Sequence, residues 1–155
     1  MVSPEVLRRY QIFGSLAPEH LNAIATITRE LSLESGDTIF ESDQPADSLY
    51  LLVSGCIDLY YTAEDEIHRE LHKELFVSEI DPGEPFGISA LIEPYVYQGK
   101  VMARYPSRVL KIESGGLRAL CELDPKINAA LMRGIAVAAL SRLHDTRVQL
   151  AAERG

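Results

Sequence analysis

Two histidines four residues apart, His68 and His72, stand among Glu66, Glu70 and Glu74. On a helix they would share one face and could hold a metal ion. Their order is His-x-Glu-x-His rather than the His-Glu-x-x-His of zinc proteases, so that chemistry is not supported. Ile67, Leu71 and Leu75 allow a helical turn here, and a solvated charged segment with no metal is the expectation. Cys56 and Cys121 lie far apart, each among apolar neighbours, and read as two buried, reduced thiols. There is no Gly-x-Ser-x-Gly elbow and neither cysteine has an adjacent base in sequence, so no catalytic residue is assigned and no enzyme is expected.

These residues need elements to carry them. The 155 residues suffice for one domain with its own core, and no repeat or linker divides them. Val6, Leu7 and Tyr10 suggest a short opening helix. Pro18 suits a first helical turn, and Leu21, Ile24, Ile27 and Leu31 follow at helical spacing. From Glu34 the pattern becomes β: Gly36-Asp37 is a turn, Thr38-Ile39-Phe40 a β-prone run, and Asp43-Gln44-Pro45 another turn. Ser48 to Val53 reads as a buried strand, joined tightly through Ser54-Gly55 to Cys56–Tyr61; Val101–Ala103 and Arg108–Ile112 supply the last strands. Such spacing indicates a mainly β domain: a jelly-roll-like β-roll (a double-stranded β-helix) over residues 33–112, with N-terminal helices in 1–32 and C-terminal helices in 113–155.

Ser114 can cap a short helix carrying Leu117 and Leu120, and Asp124-Pro125 starts a longer one. Along that helix Met132, Ala136, Ala139, Leu143, Thr146 and Leu150 recur in four-three alternation. This is coiled-coil spacing, and a homodimer through residues 125–152 is expected; the alternative is that the stripe packs on the helix's own roll.

Glu34–Phe40 and Asp47–Gly55, taken with this order of elements, resemble the cyclic-nucleotide-binding domain family of catabolite activators, kinase regulatory subunits and gated channels. Asp81-Pro82-Gly83-Glu84-Pro85-Phe86-Gly87 looks like the family's approach to its phosphate-binding cassette, and Ser89-Ala90-Leu91 like the cassette's short helix. The resemblance runs from about Ile12 to Leu143 and implies a regulatory, non-enzymatic module with a solvent-facing hairpin at the His68 region. It also implies a ligand pocket of Phe86, Gly87, Ile88, Ser89, Ala90, Leu91, Tyr97, Gln98, Gly99 and Lys100. In the family a Glu follows the cassette glycine and binds the ribose hydroxyl, an Arg ten residues after the glycine pairs with the phosphate, and a Ser or Thr three further on assists. Those places hold Ile88, Tyr97 and Lys100, with the register supported by Val101-Met102-Ala103.

The framework is therefore kept and the chemistry exchanged. Ile88 cannot accept a hydrogen bond, and Tyr97 cannot neutralise a phosphate. Losing two charge-assisted partners costs roughly two to four powers of ten in affinity. Lys100 restores charge only as a flexible point cation. The expectation is a sensor module that does not bind cAMP or cGMP tightly, has no assured cofactor, and takes a less polar ligand or a signalling partner. The alternatives are a working cAMP receptor using Lys100 and a ligand-free dimerisation scaffold.

Partner classes narrow further. Fifteen Lys+Arg against 23 Asp+Glu give a net charge of −8, which opposes binding along a nucleic-acid backbone. Family transcription factors carry a DNA-reading domain after the long helix, whereas this chain stops at Gly155, so no direct nucleic-acid contact is expected. The longest apolar run, Ile135 to Leu140, is too short to span a bilayer and the N-terminus lacks a signal-peptide pattern, so a cytoplasmic protein without membrane contact is expected. Cupins are another class of small β-roll, but they need a His-x-His set on inward strands, and His20, His68, His72 and His144 make no such pattern.

Overall fold

A computed structural model describes residues 2–64 and 72–154. Ser3 opens α1 (Pro4–Arg8) by accepting the Glu5 N–H on Oγ at 3.3 Å, with Pro4 in the first turn where its missing donor costs nothing. Gln11–Phe13 forms a 3-10 turn, and α2 (Pro18–Ala25) again starts on proline. Leu7, Phe13, Leu21 and Ile24 are fully buried beneath this cap.

Helical spacing is misleading beyond Ala25. Ile27 lies past the end of α2, and Leu31 belongs to β1 (Thr28–Leu33), so the roll begins at Thr28 rather than at residue 33. The cause is local: the β-branched run Thr26-Ile27-Thr28 disfavours another helical turn. Thr28 Oγ1 donates to the Ile24 carbonyl at 2.7 Å, while β1 gains a full antiparallel ladder on Ser107–Glu113.

Seven more strands follow: β2 (Thr38–Phe40), β3 (Ser48–Ser54), β4 (Ile57–Glu64), β5 (His72–Ile80), β6 (Pro85–Phe86), β7 (Lys100–Ala103) and β8 (Ser107–Glu113). They form two antiparallel four-stranded sheets, ordered β1-β8-β3-β6 and β2-β7-β4-β5, which is the expected jelly-roll-like arrangement. A short 3-10 helix, Ile88–Leu91, follows β6. Leu75, read at helical spacing, is instead in β5 opposite Tyr61. Glu66, His68 and Glu70 lie outside the described residues, and His72 opens β5. The β4–β5 register passes from Leu59↔Ser78 to Tyr60↔Phe76, leaving Val77 as a bulge.

α3 (Ser114–Leu123) and α4 (Pro125–Arg154) complete the fold. The residue in the N-cap position of α3 is Glu113; Ser114 is already helical and buried. Asp124 does start α4 as expected, its Oδ1 accepting the Lys126 N–H at 2.9 Å. The face of α4 turned to the core is Ile127, Leu131, Ile135 and Ala138. The stripe read from the sequence lies one residue further round: Met132 is half-buried, and Ala136, Ala139, Leu143, Thr146 and Leu150 are exposed. Of that stripe, Met132 alone packs against the core. No helix among the described residues is long and apolar enough to cross a membrane.

Candidate functional site

A cavity of about 360 Å³ opens between the roll and α4. Its floor is aromatic. Phe40 of β2 stacks on Tyr97 with ring centroids 3.7 Å apart, and Phe86 stacks on Tyr50 at 5.1 Å. Leu59 and Val101 come from β4 and β7, Val77 from the β5 bulge, and Ala139, Arg142 and Thr146 from α4. Pairing in the two sheets thus brings residues from Phe40 to Thr146 to one mouth.

Gly87 sits at the turn into the 3-10 helix with φ 70°, the left-handed region where a side chain is strained. A Cβ there would also lie 3.2 Å from the Ser48 carbonyl oxygen and 3.2 Å from the Tyr97 ring. The glycine thus lets the cassette turn lie directly on β3 and the aromatic floor.

Of the residues expected to form a pocket, Phe86, Gly87, Ile88, Ser89, Tyr97, Gln98 and Gly99 do line this cavity. Ala90 and Leu91 do not; they face inward and are buried in the core, since the short helix turns them away from the mouth. Lys100 is also outside it. Strand alternation points Val101 inward and Lys100 to the other face, where Nζ stands 3.0 Å from Glu74 Oε1.

Tyr97 is 3% exposed and takes part in a local hydrogen-bonded pair: its hydroxyl donates to the Ser48 carbonyl at 2.6 Å and accepts the Ser48 N–H at 3.1 Å. Burial pushes the phenol's pKa well above its ordinary value, so it stays neutral. The cassette turn is held from behind by Arg118 of α3, which donates to the Ala90 carbonyl at 2.8 Å and the Ala46 carbonyl at 3.0 Å and lies 3.8 Å over the Tyr95 ring.

Sequence reasoning missed Arg142. Its guanidinium donates to the Pro85 carbonyl at 2.5 Å and to the Ala138 carbonyl at 3.3 Å, and burial lowers its pKa. The available signal was the core stripe of α4: Leu131, Ile135 and Ala138 continue in four-three steps onto Arg142. Cys56, by contrast, is away from the cavity. Burial and a hydrogen bond to Glu79 push its thiol up to about 11, in keeping with an inert reduced cysteine.

The same architecture is found in known proteins. A crystal structure from Geobacter metallireducens, assigned by its name to the cyclic nucleotide-binding proteins, superposes with a TM-score of 0.80 at 38% identity, covering 93% of this chain and all of that one. The CRP-like cAMP-activated global transcriptional regulator of Mycobacterium tuberculosis is 27% identical over 150 residues, 95% of this chain and 61% of its own length. The chain thus spans about three-fifths of that curated relative. The regulatory domain of Toxoplasma gondii PKA, solved with cAMP, shares the fold at a TM-score of 0.72 and 16% identity over 86% of this chain and 48% of its own. Residues 30–124 match the profile of the cyclic nucleotide-binding domain. The chain belongs to the cyclic nucleotide-binding domain family.

Proposed function

We propose that this chain is a non-enzymatic sensor module whose cassette no longer grips a cyclic nucleotide tightly and whose output passes through α4. The observation that carries the reading is the state of Tyr97. At the place where the family's phosphate-pairing arginine is expected, a neutral phenol is buried and its hydroxyl is engaged with Ser48. Ile88, lining the cavity at the place of the ribose-binding glutamate, supports the same conclusion, and the Lys100–Glu74 pair argues against a rescue by Lys100. The regulatory role follows the Mycobacterium relative, which is named as a cAMP-activated regulator.

α4 connects the cavity to the outside. Ala139 and Thr146 belong both to the cavity wall and to the exposed four-three stripe, and Leu143 and Leu150 on that stripe are 44% and 53% exposed. This supports a homodimer along α4, with cavity contents biasing how the helix packs.

Calorimetry with cAMP and cGMP tests the first half: absence of submicromolar binding is expected, and saturable submicromolar uptake would sink the reading. Sedimentation tests the second: L143D is expected to give a folded monomer from a wild-type dimer. A wild-type monomer at all concentrations would remove the dimer.

A further inference from the structure

Arg142 is the only charged residue among the described lining of the cavity. Its two hydrogen-bond partners are the neutral carbonyls of Pro85 and Ala138, and no carboxylate among the described residues is within ion-pair distance. Glu79, Asp81, Glu84 and Asp145 line the adjoining cleft with Arg142, and none of them pairs with it. A guanidinium carries five N–H donors, so two backbone bonds leave donors over. An anion entering the cavity would find a partly buried cation, against which an ion pair is stronger than in water.

The rest of the wall suits an apolar guest. Phe40, Leu59, Phe86, Ile88 and Val101 make it largely apolar, and its 360 Å³ hold about a dozen waters. A nucleotide's ribose would meet Ile88, and its phosphate would meet a phenol already engaged with Ser48. The planar fork of Arg142 instead matches a carboxylate.

We propose that the cavity takes a small organic monoanion, an aryl or short acyl carboxylate, whose acid group pairs with Arg142 and whose apolar body lies on Phe40, Leu59, Phe86, Ile88 and Val101. The inference rests on the reading of this cavity as the sensor's ligand site. Because Arg142 is on α4, the ion pair joins the ligand directly to that helix.

The test is calorimetry on the full chain with benzoate, phenylacetate and hexanoate, each beside its primary amide, and with cAMP. At least one acid is expected to bind saturably and roughly ten- to a hundredfold more tightly than its amide. R142Q, which keeps an amide donor for the Pro85 carbonyl, erases that preference; R142K keeps part of it. An amide as tight as its acid, no acid binding at millimolar concentration, or a preference surviving in folded R142Q would each overturn the proposal. Where R142Q fails to fold, the acid-to-amide comparison in the unmodified chain decides alone. Neutral amides binding as well as the acids would remove the anion but leave the sensor reading standing, whereas submicromolar cAMP binding would remove the sensor reading itself.

Discussion

The Tyr97 hydroxyl and the Ser48 main chain satisfy each other: one phenol oxygen takes up both the carbonyl, at 2.6 Å, and the N–H, at 3.1 Å, of a residue that opens β3. The contact joins β3 to the loop that precedes β7, 49 residues away in sequence, and makes Tyr97 a structural member of the roll as well as a wall of the cavity. Y97F removes the oxygen and leaves both backbone groups of Ser48 buried without these partners. The cost expected is about 1–3 kcal/mol in urea unfolding, with an unchanged m-value. A loss below the error of extrapolation would show that the pair contributes little.

Arg118 governs the other side of the cassette turn. Its guanidinium bonds two carbonyls, of Ala90 and Ala46, from one planar fork while stacking over Tyr95. R118A is expected to cost about 2 kcal/mol, and R118K to recover less than half of it, because an ammonium cannot reproduce the fork. Hydrogen exchange at the amides of Ala90 and Ile92, bonded to Gly87 and Ser89, checks the location of the effect. Both should exchange faster in R118A. Unchanged exchange would place the loss elsewhere.

How much of this was legible follows from individual residues. Gly36 and Gly55, both at positive φ, punctuate the chain where turns were expected, so the roll could be read from the runs between them. Leu21, Ile24, Ile27 and Leu31 fitted one helix, although the Thr26–Thr28 run ends it. Periodicity alone does not register that strand pairing to β8 outweighs another helical turn. On α4 two stripes, Leu131-Ile135-Ala138-Arg142 and Met132-Ala136-Ala139-Leu143, have the same four-three steps one residue apart. Only tertiary contact decides which one faces the roll. Arg142 was missed for that reason, because a lone arginine on a helix resembles a surface charge until its carbonyl partners are known.

Gly134 is where α4 meets the N-terminal cap. A Cβ placed there would lie 2.3 Å from Ile12 Cγ1, far inside van der Waals contact, and Ile12 is itself buried. Alanine improves helix propensity by about 1 kcal/mol, but overpacking costs about 1–3 kcal/mol. G134A is therefore expected to lower stability in net. The double variant I12A/G134A should lose less than the sum of the two single changes, since the added methyl occupies part of the space Ile12 vacates. Strict additivity would show that the close approach is not what selects glycine.

His20 and Asp124 tie α2 to the start of α4, and they set an acid limb for stability. His20 Nδ1 accepts the Ala17 N–H at 3.2 Å, which leaves Nε2 to donate to Asp124 Oδ2 at 2.8 Å. The carboxylate is held below its ordinary value of 3.8, first by the Lys126 N–H; burial opposes this, and His20 and the Ile127 N–H add to the lowering. A carboxyl whose pKa falls on folding binds fewer protons in the native state than in the unfolded chain. Its contribution is therefore complete above the ordinary value and disappears as the pH drops through the folded one. D124N cannot ionise, so its melting temperature should fall less steeply than that of the wild type as pH is lowered from neutral to below 3.8. At neutral pH the variant should be the less stable of the two, with the curves converging in acid. Parallel curves across that range would mean that the carboxylate is not coupled to folding.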